Sequence, residues 1–260
     1  MKVNNEQLQT LCAIADAAGH EIMAVYACGG ETWQKADDSP LTEADLRADQ
    51  LIRQGLEMAF PGVFILSEES RSAGTQTANT FFLVDPLDGT KEFLKRNGEF
   101  TVNIALVHAG IPVAGVVLAP ALGELFYAAQ GQGAWKRDEQ GVHAIETVRH
   151  GNDQPLRVIG SRSHGGDKLV AWLATLQGEY SFVAAGSSLK FCRIAEGQAD
   201  IYPRFGPTSQ WDTAAAQCVL EVAGGAVIDM AGQSLRYGLE RPTLNPEFVA
   251  LGDQRSACVP

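Results

Sequence analysis

Phe81-Phe82-Leu83-Val84-Asp85-Pro86-Leu87-Asp88-Gly89-Thr90 is the stretch on which the reading of this chain turns. Four apolar residues, bounded by turn-forming residues, have the length and composition of a short buried strand. Its C-terminal end delivers two carboxylates separated by Pro-Leu. Two acids so placed on a turn can converge on a hard cation, and Mg²⁺ takes oxygen ligands and often joins one or two carboxylates to a substrate phosphate. Pro86 fixes φ and stiffens the turn. Gly89 lets backbone approach a ligand closely, and a helix opening after it would turn N–H groups toward phosphate oxygens. The same residues also suit a plainer role, with Asp88 capping a turn and Asp85 ending a strand.

Two lookalikes are set aside. An EF-hand loop needs acids at alternate positions, a glycine and a distant glutamate. A D-x-D-G-T phosphatase uses the first aspartate as nucleophile, and here Pro86 stands at that position. A covalent aspartyl-phosphate is therefore disfavoured, and metal-activated water fits better.

Further acids stand in similar settings. Glu68-Glu69 follows a strand-like Val63–Leu66. Trp211-Asp212-Thr213 opens a helical segment, where Asp212 would otherwise be a simple cap. Lys35 to Asp45 ends in a second helix start, with Asp45 in the first turn, where an acid complements the helix dipole. Each has an ordinary structural explanation alone; their joint occurrence in this order is the signal.

The flanks supply a frame. Leu8, Leu11, Ile14, Ala18, Ile22 and Val25 recur at helical spacing over residues 5–27. A helix over 42–60 has Thr42 as N-cap, Asp45 at N3, an apolar stripe of Leu46, Ile52, Leu56 and Phe60, and a stop at Pro61-Gly62. Strands are expected at 101–107, 113–119, 124–128 and 133–136, with His108–Pro112 as a turn, which suggests an antiparallel sheet. Beyond 156 strands and helices alternate: strands at 156–160, 181–185, 201–202, 226–229 and 248–251, helices at 165–177, 188–197 and 211–223. Gly151–Pro155 is the expected boundary between an N-terminal α+β lobe, 1–150, and a C-terminal α/β lobe, 151–260.

Composition limits the function. Hydrophobic residues make up 45% and charged residues 20%, as in a globular protein. Lys+Arg number 20 and Asp+Glu 31, a formal charge of −11. That balance argues against a nucleic-acid polymer or an anionic membrane as partner, since both need a basic face. A small anion needs cations at its own site. Five cysteines without a C-x-x-C pair argue against a zinc ribbon or a secreted disulfide framework and suit a reducing, cytoplasmic setting. No integral membrane segment is expected; loose association with the inner face of the membrane and the oligomeric state are left open. His20, His108, His143 and His150 lack metal-ligand spacing.

Taken together, KADDSPLTEAD (35–45), LSEES (66–70), LVDPLDGTKEFLKRNGEFTVNIALV (83–107), SRSH (161–164), GSSLKFCRIAEGQADIYPRFGPT (186–208) and WDTAA (211–215) resemble the inositol monophosphatase-like superfamily of Mg²⁺-dependent, lithium-sensitive phosphatases. The resemblance spans about residues 5–250, and KEFLKRNGEFTVNIAL (91–106) and GSSLKFC to YPRFGPT (186–208) are similar to its bacterial 3′(2′),5′-bisphosphate nucleotidases. It implies a layered αβαβα sandwich of the sugar-phosphatase fold, of mixed α+β and α/β class. It implies that Glu68, Asp85 and the Leu87 carbonyl hold one Mg²⁺, that Asp85, Asp88 and Asp212 hold a second, and that Glu68 serves a weaker third through water. Thr90 would pair with Asp45 to orient the attacking water. Leu87, Asp88, Gly89 and Thr90 would cradle the scissile phosphate, beside Asp212.

The rest of the substrate falls to the C-terminal lobe. Ser187, Ser188 and Lys190 lie at a strand-to-helix transition, and Arg204 and His164 add candidate donors. A second phosphate remote from the metals needs such protein cations. The resemblance therefore implies a small-molecule nucleotide bisphosphate substrate: hydrolysis of the 3′-phosphate of adenosine 3′,5′-bisphosphate to AMP, with its sulfated analogue as a further substrate. An inositol or sugar monophosphatase of the same fold is the alternative, and a non-catalytic acidic metal- or anion-binding protein the more remote one.

Overall fold

The structure is a computed structural model that describes residues 2–35, 40–70, 77–149, 151, 154–161, 166–176 and 178–253. Asn4 starts the first helix, α1 (Asn5–Cys28): its side chain accepts from the Gln7 N–H at 2.8 Å, and the Gln7 side chain accepts from the Asn4 N–H at 3.0 Å. Two short strands follow, β1 (Thr32–Gln34) and β2 (Pro40–Thr42), then α2 (Glu43–Ala59), β3 (Phe64–Ser67), β4 (Thr80–Asp88) and the short helix α3 (Thr90–Leu94). A meander comes next: β5 (Thr101–His108), β6 (Ile111–Ala119), β7 (Glu124–Ala129), β8 (Gly133–Asp138) and β9 (Gly141–Ala144). The remainder is β10 (Leu156–Ser161), α4 (Gly166–Leu173), β11 (Tyr180–Ala185), α5 (Leu189–Ala195), β12 (Ile201–Arg204), α6 (Gln210–Val222), β13 (Ala226–Asp229) and β14 (Phe248–Leu251).

Strands β3 to β9 form one seven-stranded sheet in sequence order, antiparallel except for the β3–β4 pair. The second sheet has the order β11-β10-β12-β14-β13. Period-two alternation sorts the large sheet's side chains between two cores. Phe82, Val84, Ile104 and Leu106 pack under α1 and α2. Phe81, Leu83, Ala105 and Val107 face the opposite way, onto α5, α6 and the inner face of the small sheet. Val158, Ile201 and Val249 on that sheet's outer face meet Trp172 of α4. The layers are thus α1α2, sheet, α5α6, sheet, α4. The approach of α6 is close at Gly115, where a Cβ would collide with the Ala215 carbonyl, so only glycine fits.

Several elements differ from the sequence expectations. Leu46 is 43% exposed, and the buried face of α2 is Ala44, Asp45, Ala48, Asp49, Ile52 and Leu56. Two carboxylates, not leucine, face the interior there because the helix borders the site. The 108–112 turn is tighter than expected. Ala109 and Gly110 alone form it, with φ of 51° and 77°, which matches the twist of a two-residue hairpin and leaves Ile111 and Pro112 in the strand. Helix α1 is long and apolar enough to cross a membrane, but its stripe of Leu8, Leu11, Ala15, Ala18 and Ile22 lies in the core shared with α2 and the large sheet.

Candidate active site

The first carboxylates are aligned by an irregularity in β4. Asp85 and Asp88 are three residues apart and would point to opposite faces of a flat strand. Their partners on β5, Asn103 and Thr101, are two apart and share a face. The extra residue of this β-bulge falls at Pro86-Leu87, where proline has no N–H to offer the ladder. Both carboxylates are thereby turned to the face that meets α6. The Leu87 N–H donates to Asp85 Oδ1 at 3.1 Å, closing the bulge over its own ligand-bearing side chain. The strand therefore runs through the motif to Asp88, rather than ending at Val84.

Glu68 arrives from the end of β3, the parallel neighbour of β4, and Asp212 from the first turn of α6. The Ser209 N–H donates to Asp212 Oδ2 at 2.8 Å, so the cap fixes that carboxylate. Oxygens of Glu68, Asp85 and Asp212 lie within 4.8 Å of one another. Burial, then the negative charges of Glu68, Asp88, Asp212 and Asp45, push Asp85 well above the usual carboxylate range. Burial and then Asp88 do the same to Asp212. Buried like charges held this close need a counter-charge. This all-oxygen donor set matches a hard divalent cation such as Mg²⁺.

Asp45 and Thr90 also meet here. The Thr42 N–H and hydroxyl donate to Asp45 Oδ2 at 2.8 and 2.6 Å, and the Thr90 hydroxyl lies 3.3 Å from Asp45 Oδ1 and 3.4 Å from the Leu87 carbonyl. Burial first, opposed by the Thr42 bonds, raises the Asp45 carboxyl. Gly89, with φ of 90°, turns the chain from β4 into α3 and leaves Thr90 at the helix start.

The opposite wall of the cleft is the β11–α5 junction. Ser187 donates to Asp88 Oδ2 at 2.6 Å, and Ser188 shares its one hydroxyl hydrogen between Asp88 Oδ2 at 3.0 Å and the Asp212 carbonyl at 3.1 Å. The two serines thus join the acids of β4 and α6, a role the sequence pattern had not suggested. Lys190 lines the cleft and is buried; its Nζ donates to the carbonyls of Ser187 and Ala185 at 2.5 and 3.4 Å. Arg204 lines it too, bonding the carbonyls of Gly206 and Pro207. Glu68, Asp88, Gly89, Thr90, Ser187 and Asp212 are among the other residues that line the same cleft. His164 lies outside the described residues. Lys35, to which the sequence pattern assigns no role, bridges Glu68 and Glu69 at 2.7 and 2.5 Å. Its only signal was its place at the head of the 35–45 stretch.

This sandwich, with carboxylates converging in a cleft between its sheets, has the architecture of the metal-dependent sugar phosphatases. The chain belongs to the inositol monophosphatase family, whose family model matches residues 4–256. It is 50% identical over 245 residues to a 3′(2′),5′-bisphosphate nucleotidase CysQ of Salmonella typhimurium, covering 93% of this chain and 98% of that one. The Escherichia coli K12 protein of the same name is 47% identical over the same shares. Among solved structures, CysQ from Bacteroides thetaiotaomicron, a bacterial member of the inositol monophosphatase family, superposes with a TM-score of 0.85 at 35% identity, covering 96% of this chain and 98% of that one.

Proposed function

We propose that this protein is a Mg²⁺-dependent phosphomonoesterase that removes the 3′-phosphate of adenosine 3′,5′-bisphosphate, releasing AMP and phosphate. The observation that carries the reading is the convergence of Glu68, Asp85 and Asp212 opposite a wall holding two buried cations, Lys190 and Arg204. Relatives at 47–50% identity bear the nucleotidase name and point to the same substrate class.

In this reading Glu68, Asp85, the Leu87 carbonyl, Asp88 and Asp212 would hold two ions, and Glu68 would serve a third, weaker one. When bound, the ions neutralise phosphate oxygens and raise the acidity of water. The chain's own residues do the rest. Asp45, held by Thr42, accepts from the Thr90 hydroxyl and so orients that hydroxyl's lone pairs toward incoming water. The Gly89 and Thr90 N–H groups stand at a helix start, ready for phosphate oxygens. Lys190 of α5 and Arg204 of β12 supply positive charge for the second phosphate within the same cleft. The lobe division at about residue 150 belongs to the same reading, with most metal ligands in the first part and the substrate tail in the second. A cytoplasmic setting does too, since Cys12, Cys28, Cys192 and Cys218 are free thiols.

The test is turnover on adenosine 3′,5′-bisphosphate and on inositol 1-phosphate, side by side in Mg²⁺. A higher kcat/KM on the bisphosphate is expected. Preference for the inositol ester would overturn the substrate assignment, and no release from any monoester would overturn catalysis.

A further inference from the structure

Beneath Asp88 lies a line of buried polar groups that the reaction scheme does not use. Thr101 stands opposite Asp88 and Asn103 opposite Asp85 in the β4–β5 register. Both are buried, at 0% and 1% exposure. The Thr101 hydroxyl is 2.6 Å from Ser187 Oγ and 3.3 Å from Asn103 Oδ1. Ser187 Oγ is in turn 2.6 Å from Asp88 Oδ2 and 3.1 Å from the Asp88 carbonyl. Asn103 Nδ2 has no partner among the described residues. Ser187 itself has φ of 52°, a left-handed conformation that costs a non-glycine residue energy and persists where surroundings enforce it.

Counting hydrogens gives this line a direction. Ser187 has one hydroxyl hydrogen and Thr101 one. A carboxylate oxygen 2.6 Å from a hydroxyl oxygen requires the hydrogen between them, so Ser187 donates to Asp88. The 2.6 Å contact between Thr101 and Ser187 then requires the Thr101 hydrogen. Thr101 has none left for Asn103, so the amide must present its nitrogen, which a half-turn of the nearly isosteric group achieves. That same half-turn gives Nδ2 an acceptor and puts Oδ1, which as a carbonyl oxygen is the cheaper atom to leave unpaired, in the position without a partner among the described residues. The opposite direction leaves two oxygens 2.6 Å apart with nothing between them, one of them a carboxylate.

We propose that Thr101 and Asn103 are positioning residues for Asp88, acting through Ser187 along a one-way chain: Asn103 Nδ2–H to Thr101, Thr101 O–H to Ser187, Ser187 O–H to Asp88. The chain, with Ser188 as second donor, saturates Asp88 Oδ2 and fixes the plane of the carboxylate. Its other oxygen is left to face the cation. The inference rests on the reading of Asp88 as a cation ligand, and it extends the ligand set to a supporting layer on β5.

Calorimetric titration of metal-free protein with Mg²⁺ tests it. Thr101→Val keeps the side chain's shape and removes the hydroxyl. It is expected to weaken Mg²⁺ binding roughly 10- to 100-fold, the usual effect of losing such a support. Thr101→Ser restores wild-type affinity, which a packing role for the threonine methyl would not allow. Ser187→Gly breaks the chain one link nearer Asp88 while accommodating the positive φ, and is expected to weaken binding by a similar factor. It carries the test alone should Thr101→Val fail to fold. The double variant binds no more weakly than the poorer single variant, because both break one chain. Wild-type affinity in Thr101→Val or Ser187→Gly, failure of Thr101→Ser to rescue, or additive losses would overturn the chain while leaving the metal site standing. No Mg²⁺ binding by the wild type would overturn both.

Discussion

Replacing Asp85 by asparagine should change stability and function in opposite directions. Asp85 is 2% exposed, and its oxygens lie with those of Glu68 and Asp212 within 4.8 Å. Two unit charges at that separation repel by about 3.5 kcal/mol at an effective dielectric constant near 20. Asp85 meets two such neighbours, but it can escape by taking up a proton. From the ordinary value of 3.8, that escape caps the cost at pH 7 near 4 kcal/mol. Removing the charge should therefore stabilise the metal-free protein by about 2–4 kcal/mol. Asparagine keeps an oxygen to accept the Leu87 N–H, so the bulge survives. At about 2–4 °C per kcal/mol for a chain of this size, Tm in chelator rises by roughly 4–15 °C. In Mg²⁺ the wild type gains about 2.7 kcal/mol at 100 times Kd, and the variant gains nothing. Turnover falls by at least about 10³-fold, equivalent to about 4 kcal/mol of barrier. Thermal unfolding with and without Mg²⁺, followed by circular dichroism, reads all of the stability terms. A variant that melts lower in chelator, or still shifts with Mg²⁺, would refute the placement of Asp85 at the centre of the cation site.

Other outcomes follow from the same geometry. Thr90→Val should lower kcat by roughly 10²- to 10⁴-fold while Mg²⁺ affinity measured by calorimetry stays within about threefold, because the hydroxyl pairs with Asp45 and touches none of the ligand carboxylates. Burial pushes Lys190 down to about 8, so its ammonium is present below that pH and lost above it; kcat/KM for the bisphosphate should fall above pH 8, and Lys190→Met should flatten that limb and raise KM. The stability sign is reversed: the unfolded lysine keeps its proton to 10.5, so denaturant melts should show the metal-free fold gaining stability as pH rises from about 8 towards 10.5. Lys136 is buried between Glu124 and Glu196 at 2.7 and 2.9 Å, and Lys136→Met should destabilise by about 1.5–3 kcal/mol in urea titration, less than an orphaned buried charge would cost, because Arg193 still pairs with both carboxylates at 2.6 and 2.5 Å.

What the sequence made legible was whatever local pattern carries. The Thr42–Asp45 cap, the apolar run before Asp85 and the antiparallel meander are written in neighbouring residues, and their physical causes act over a few positions. The β4 bulge was not, because nothing in D-P-L-D shows that the partner strand supplies one residue fewer. Leu46 was misplaced because helical period counts apolar residues, whereas here buried Asp45 and Asp49 occupy the inward face. The exposed strands β1 and β9 carry no inward alternation to find. The bonds from Ser187 and Ser188 to Asp88 join residues about a hundred positions apart, and only the folded chain brings them together. GSSL therefore pointed to substrate, while its hydroxyls reach a carboxylate. The −11 charge is sharpened in the same way. Part of it is gathered at Glu68, Asp85, Asp88 and Asp212, so phosphate binding at this acidic cleft is expected to depend on cation.

The most direct measurement is the identity of the product. Purified protein is incubated with adenosine 3′,5′-bisphosphate in Mg²⁺ and again in excess chelator, and the nucleotides are separated chromatographically alongside a phosphate assay. Adenosine 5′-monophosphate and one equivalent of phosphate are expected in Mg²⁺, with none of either in chelator. Adenosine 3′-monophosphate as product, or turnover that survives the chelator, would contradict the proposed activity.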